Sequence, residues 1–200
     1  MKKKTILIAC IAMLFSAPLF AQKIKLNSGN LDFLKGVEVL NVEYDYDNMG
    51  VGKYDKEADY VADKVSDYNA KEPGRGDSWK QSWVADREER FEPKFEELIN
   101  KSLEKNNVSV GGHPDANYTL VLKTTFTEPG FNVGVARKNA SINCEAVFIS
   151  TDNGEELATI TIMNSPGRGG MGYDFDSGFR IQEAYAKAGK ELGRFLSKYF

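Results

Sequence analysis

Residues 117–127 read NYTLVLKTTFT, residues 139–150 read NASINCEAVFIS and residues 156–163 read ELATITIM. In the first run Tyr118, Leu120, Leu122, Thr124 and Phe126 fall on one side. In the second Ala140, Ile142, Cys144, Ala146 and Phe148 do the same. Successive side chains of a strand point to opposite faces, so this period of two marks half-buried strands. Pro129-Gly130 places a turn after the first run. Asn153-Gly154 joins the second and third as a hairpin, because both residues accept positive φ.

Upstream, residues 37–46 form another strand, with Leu40, Val42, Tyr44 and Tyr46 opposite Asn41, Glu43 and Asp45. A polar stretch, Asn48 to Lys56, leads into a short helix from Glu57 to about Tyr68. Glu72-Pro73-Gly74-Arg75-Gly76-Asp77 reads as a loop. Ser78 or Asp77 then caps a helix whose stripe is Phe91, Phe95, Leu98, Ile99, Ser102 and Leu103. Pro93 either kinks that helix or lies in the first turn of a separate one ending near Lys105. Downstream, a Gly-rich loop over 164–178 precedes a last helix from about 179 to 199. Its stripe includes Ile181, Ala184, Tyr185, Ala188, Leu192 and Leu196. Helices gathered in two blocks around sequential hairpins predict an α+β fold. The expectation is a mainly antiparallel sheet of about four to five strands with helices packed on one face.

The N-terminus carries an address. Lys2, Lys3 and Lys4 precede an apolar run from Thr5 to Phe15, and Ser16-Ala17-Pro18-Leu19-Phe20-Ala21 ends in a small residue. That is the layout of a signal peptide, with cleavage expected after Ala21. It is too short for a membrane span. Leu7-Ile8-Ala9-Cys10 also has a lipobox layout, but its approach from Lys4 is short for lipid anchoring. The expected organisation is a signal peptide over 1–21, a loosely held lead over 22–35 and a single α+β domain over 36–200. The chain is expected to be periplasmic or secreted, with no integral span after cleavage.

Without the three leader lysines the chain has 23 basic and 29 acidic residues. No basic stripe remains, which excludes nucleic acid as an expected partner and disfavours an anionic membrane surface. Cys144 is then the one cysteine left, in an apolar alternation, and reads as a buried hydrophobe. The chain has one histidine, His113, so neither a multi-histidine metal site nor a Ser/His/Asp triad is indicated.

Several short motifs lack the context their chemistry needs. Gly167-Arg168-Gly169-Gly170-Met171-Gly172 matches G-x-G-x-x-G, but does not open a helix inside a βαβ unit. Asp45-Tyr46-Asp47-Asn48-Met49-Gly50 begins like a calcium loop yet has Lys56 where the bidentate Glu belongs. Arg75-Gly76-Asp77 is a tripeptide read by adhesion receptors, and common by chance. Asparagines 107, 117 and 139 begin Asn-x-Ser/Thr sequons, which matter only in a glycosylating host. Trp79 and Trp83 share a helix face and read as packing rather than a sugar platform. No cofactor and no catalytic set is expected. Phe131, after the Pro-Gly turn, and Arg168 and Tyr173, in the Gly-rich loop, are the residues expected to meet a partner.

Ala116-Asn117-Tyr118-Thr119-Leu120, Glu128-Pro129-Gly130, the Gly154 hairpin, the Gly-rich loop and Arg180-Ile181 with Ala184-Tyr185 form a pattern. Over roughly residues 35–199 it resembles uncharacterised envelope proteins of the Bacteroidetes. More distantly it resembles the periplasmic α/β domains grouped with the curli-secretion and penicillin-binding-protein-activator lipoproteins. The resemblance implies a non-enzymatic binding or assembly module of the envelope whose partner is another envelope protein. The alternative is a carboxylate-dependent hydrolase of envelope glycan or polymer, which needs a close carboxylate pair in a deep pocket with one raised pKa.

Overall fold

The computed structural model describes residues 22–167 and 176–200. The signal-peptide reading, with Cys10, lies outside them. The strands are β1 (Lys23–Gly29), β2 (Val39–Asp45), β3 (Gly50–Val51), β4 (Ser109–Gly111), β5 (Tyr118–Glu128), β6 (Phe131–Asn132), β7 (Arg137–Lys138), β8 (Ala140–Ser150) and β9 (Glu156–Gly167). The helices are α1 (Glu57–Lys71), α2 (Arg75–Asp86), α3 (Glu92–Leu103) and α4 (Ser177–Leu196), with a π-helical segment, Arg87–Phe91, joining α2 to α3.

The fold is α+β, but the main sheet has seven strands and is mixed. Its order is β1-β9-β8-β5-β2-β4, with β3 also paired to β5. β5, β8 and β9 form the antiparallel meander that the turn residues predict. β2 corrects the expectation of a mainly antiparallel sheet: it runs parallel to both β5 and β4, with Val42 opposite Leu120 and Leu40 opposite Val110. A parallel return needs a long crossover, and the helical block between β2 and β5 supplies it. Residues 22–35 are also more ordered than a loose lead. β1 pairs with β9, with Ile24 opposite Ile162, and Leu31 and Leu34 are buried in the turn that follows.

The core lies between the sheet and the helices α3 and α4. Leu120, Leu122, Ile142, Cys144, Phe148, Ile160 and Ile162 meet Phe95, Ile99, Leu103, Ile181, Tyr185 and Leu192, all buried. The alternating apolar strands and the α4 stripe thus face one another as their periods require. At Gly189 α4 rests directly on α3: a Cβ there would stand 2.3 Å from the Phe95 carbonyl oxygen.

The helical block differs from its sequence reading in two places. α2 begins at Arg75, after Gly74 at φ 83°, so Arg75-Gly76-Asp77 is a first helical turn rather than a loop. The Gly76 N–H donates to Asn69 Oδ1 at 2.7 Å, and Gly76 packs against the Val65 backbone. Further on, Pro93 is the second residue of α3, but the helical backbone runs on into it from Phe91 and Glu92, so its missing N–H leaves a carbonyl of the preceding turn without that donor. The π segment before it absorbs the change of register. It turns Phe91 onto Tyr185, ring on ring at 5.2 Å and 5°. Tyr54, Tyr60, Tyr68, Trp79 and Trp83 close the α1–α2 pair, with the two tryptophans stacked at 5.6 Å.

Candidate functional site

β6 and β7 leave the main sheet and form a small ribbon of their own, Phe131 opposite Lys138 and Asn132 opposite Arg137. Its tip closes through Val133 N–H to Ala136 O at 3.0 Å and Gly134 N–H to Asn132 Oδ1 at 3.0 Å. The arm carries three exposed apolar side chains among its polar ones. Phe131 is 44% accessible, Val133 65% and Val135 99%. Scattered single apolar residues on a surface are ordinary, but three on one projecting arm form a patch.

The base of the arm is tied down. Arg180, on α4, is only 4% exposed. Its Nε donates to Pro129 O at 3.2 Å and its Nη2 to Gly130 O at 3.2 Å. Glu128 accepts the Gly130 N–H at 3.0 Å and binds Lys138 Nζ. Gly130 holds φ 64°, and a Cβ there would lie 2.3 Å from the Lys138 carbonyl oxygen. A buried guanidinium is costly unless its donors are used, so these bonds fix the direction in which the arm leaves the body.

The arm ends at Asn139, and Asn139, Ala140 and Ser141 line an open groove of about 1200 Å3 between α4 and that end of the sheet. Ile24, Leu98, Pro166, Ala186 and Phe195 form its apolar surface. Lys187, Lys190 and Arg194 stand along its helical wall with Glu183 and Glu191. Glu191 receives Lys187 at 2.6 Å and Arg194 at 2.9 Å. Burial raises the Glu191 pKa, but the Lys187 hydrogen bond and the cations around it outweigh burial and hold the carboxyl below its usual range. A second groove, about 600 Å3, runs between α1 and α2 past Ala58, Val61, Val65, Trp83 and Val84.

The carboxylates nearest the π segment are engaged with neighbours. Glu57 accepts Trp83 Nε1 and Arg87 Nη2, each at 2.5 Å. Tyr46 donates to Glu92 at 3.1 Å and Tyr44 to Glu96 at 3.0 Å. Burial raises both tyrosine hydroxyls far above their usual range. Asp86 is pushed up to about 6 by burial, against the pull of Arg90 at 3.0 Å. Arg90 also holds Asp176, at 2.9 Å. Asp86, Glu92 and Asp176 line neither groove. Among the described residues no group of three or more His, Cys, Asp and Glu could hold a metal ion. Among them, too, no helix is long and apolar enough to cross a membrane.

Of the residues singled out in the sequence, Phe131 lies on the arm, exposed. Arg168 and Tyr173 lie outside the described residues. Trp83 is buried and Trp79 packs against the core, as the packing reading expected. Cys144 is fully buried, and burial pushes its thiol up to about 12. His113 sits in a turn, Nε2 3.0 Å from Ser109 Oγ. Sequence reasoning missed Arg180 as the clamp of the arm. The signal was present: Arg180 shares a helix face with Ala184 and Ala188, where a lone cation needs a buried partner.

These features define a two-layer α+β module with a projecting apolar arm beside a charged groove. No family model matches the chain, and no curated protein matches it. Among solved structures it is similar to the PelC dodecamer from Paraburkholderia phytofirmans. That match has 14% identity and a TM-score of 0.42, covering 90% of this chain and 97% of that one. It is also similar to the DUF330 protein XCC0632 from Xanthomonas campestris, at 11% identity and TM-score 0.39, covering 82% and 85%.

Proposed function

We propose that this chain is a non-enzymatic binding or assembly module of the cell envelope, exported and working in the periplasm or beyond it. Its partner is another envelope protein, and it docks through the β6–β7 arm. The observation that carries this reading is the arm: Phe131, Val133 and Val135 are held in water by a buried arginine whose donors clamp the arm's root. Exposed apolar side chains contribute nothing to folding, whereas on a partner they supply the desolvated anchors that dominate binding. The resemblance to the curli-secretion and penicillin-binding-protein-activator group, one of element order, agrees with such a role. The hydrolase reading needs a carboxylate pair in a pocket. The carboxyls that burial raises among the described residues, Asp86 and Glu92, are instead tied to Arg90 and to the Tyr46 hydroxyl and line neither groove.

The test is site-specific photo-crosslinking in intact cells of the chain's own host. A photoreactive residue at Val133 is expected to capture one envelope protein reproducibly. The same probe at Ser82, exposed on α2, is not. Full export with no adduct at 133 overturns the reading.

A further inference from the structure

We propose that the groove beside α4 receives an extended acidic segment of the partner polypeptide. The proposal rests on the docking reading above and names what lies next to the arm.

Four observations carry it. First, place: the arm runs directly into Asn139, Ala140 and Ser141, so a partner seated on Phe131 and Val133 has the groove in its path. Second, charge: Lys187, Lys190 and Arg194 line the groove, and Lys198 stands 4.6 Å over the ring of Phe195 at its margin. Only Glu183 and Glu191 oppose them within the lining. Glu191 is taken by Lys187 and Arg194, while Lys190 has no ion pair among the described residues. This is a local cationic excess on a chain whose net charge is −3, which favours an anionic occupant over a cationic one.

Third, hydrogen bonding: the Gln22 carboxamide borders the groove, and neither its Nε2 nor its Oε1 has a partner among the described residues, although both atoms are buried. A sequestered carboxamide offers one donor and one acceptor side by side, the complement of a peptide group's C=O and N–H. Fourth, shape: Ile24, Leu98 and Phe195 leave apolar floor between the charges, so an extended chain can place alternate side chains down and its acids up.

The test uses the mature chain against short synthetic peptides tiled across the host's exported proteins, together with oligo-glutamate, oligo-lysine and polygalacturonate. Selection of Asp/Glu-rich peptides is expected. Binding of the strongest should weaken about tenfold in Lys190→Glu and in Gln22→Leu. Lys80→Glu, in the other groove, should change it little. Lys190→Gln, with a weaker loss and a melting curve like the parent's, separates recognition from misfolding. Retention without acidic enrichment, indifference to Lys190→Glu, or binding of polygalacturonate alone overturns the proposal. Adducts at position 133 with no acidic selection defeat the groove and spare the docking reading. Acidic selection lost in Lys190→Glu, with no adduct at 133, does the reverse.

Discussion

Replacing Gly189 by Ala tests whether α4 and α3 meet backbone to backbone. On an isolated helix the change stabilises, by about 1 kcal/mol. Here the new Cβ would stand 2.3 Å from the Phe95 carbonyl oxygen and 3.1 Å from the carbonyl carbon. A carbon needs roughly 3.3 Å from such an oxygen, so the helices must part by about 1 Å. The atom in the way is backbone, which cannot swing aside as a side-chain tip would. Parting the helices loosens Phe95, Ile99 and Leu192, all fully buried. Overpacking of this kind costs about 1–3 kcal/mol, and a rigid obstacle places it near the upper end. Set against the helix-propensity gain, the expected loss is about 2 kcal/mol. Urea unfolding followed by circular dichroism reads it directly: with a slope of about 2 kcal/mol/M the midpoint falls by about 1 M. A variant as stable as the parent, or more stable, refutes the close approach.

Asp86 gives a pH signature. Burial holds its carboxyl at about 6 in the fold, against about 3.9 in the unfolded chain. Between those values the folded chain keeps a proton that the unfolded chain has released. Stability from this group is therefore present below pH 4 and lost as pH rises towards 6, by up to about 2–3 kcal/mol. Asp86→Asn should remove that slope, so the parent's advantage over the variant shrinks across the window; a difference flat with pH contradicts it. Cys144 is buried with its thiol pushed up to about 12, so an aromatic disulfide reagent should react only as fast as the whole fold opens. Rapid labelling of the native protein would contradict that burial.

Much of the sheet was legible because its signals are local. The alternation over β5, β8 and β9 and the Asn153-Gly154 turn fix neighbours close in sequence, and the α4 stripe marks the face that covers them. What escaped depends on distance. Nothing in Leu40-Asn41-Val42 says that these residues enter the sheet beside Leu120 rather than at an edge, because a parallel pair has no turn residue to announce it. Lys23-Ile24-Lys25-Leu26 alternates, but seven residues at the head of the domain look loose until Thr161 and Ile162 are known to lie beside them. The Arg75 start of α2 was hidden by Gly74-Arg75-Gly76, whose glycines mark a cap and a helix contact rather than a loop. The exposure of Phe131 was legible from the turn before it. The groove was not, since it draws on five separate stretches of chain.

The pairing of β1 with β9 also sets an order of events. Lys23 faces Met163, so the first described strand to be synthesised must wait for the last. Meanwhile β5, β8 and β9 can zip through their short connections, each closure costing little chain entropy. The sheet is therefore built outward from its middle, and β1 joins once the rest exists. Until then one side of β9 stays open to any passing strand, so the interval before β1 arrives is when this chain is most prone to pair with the wrong neighbour.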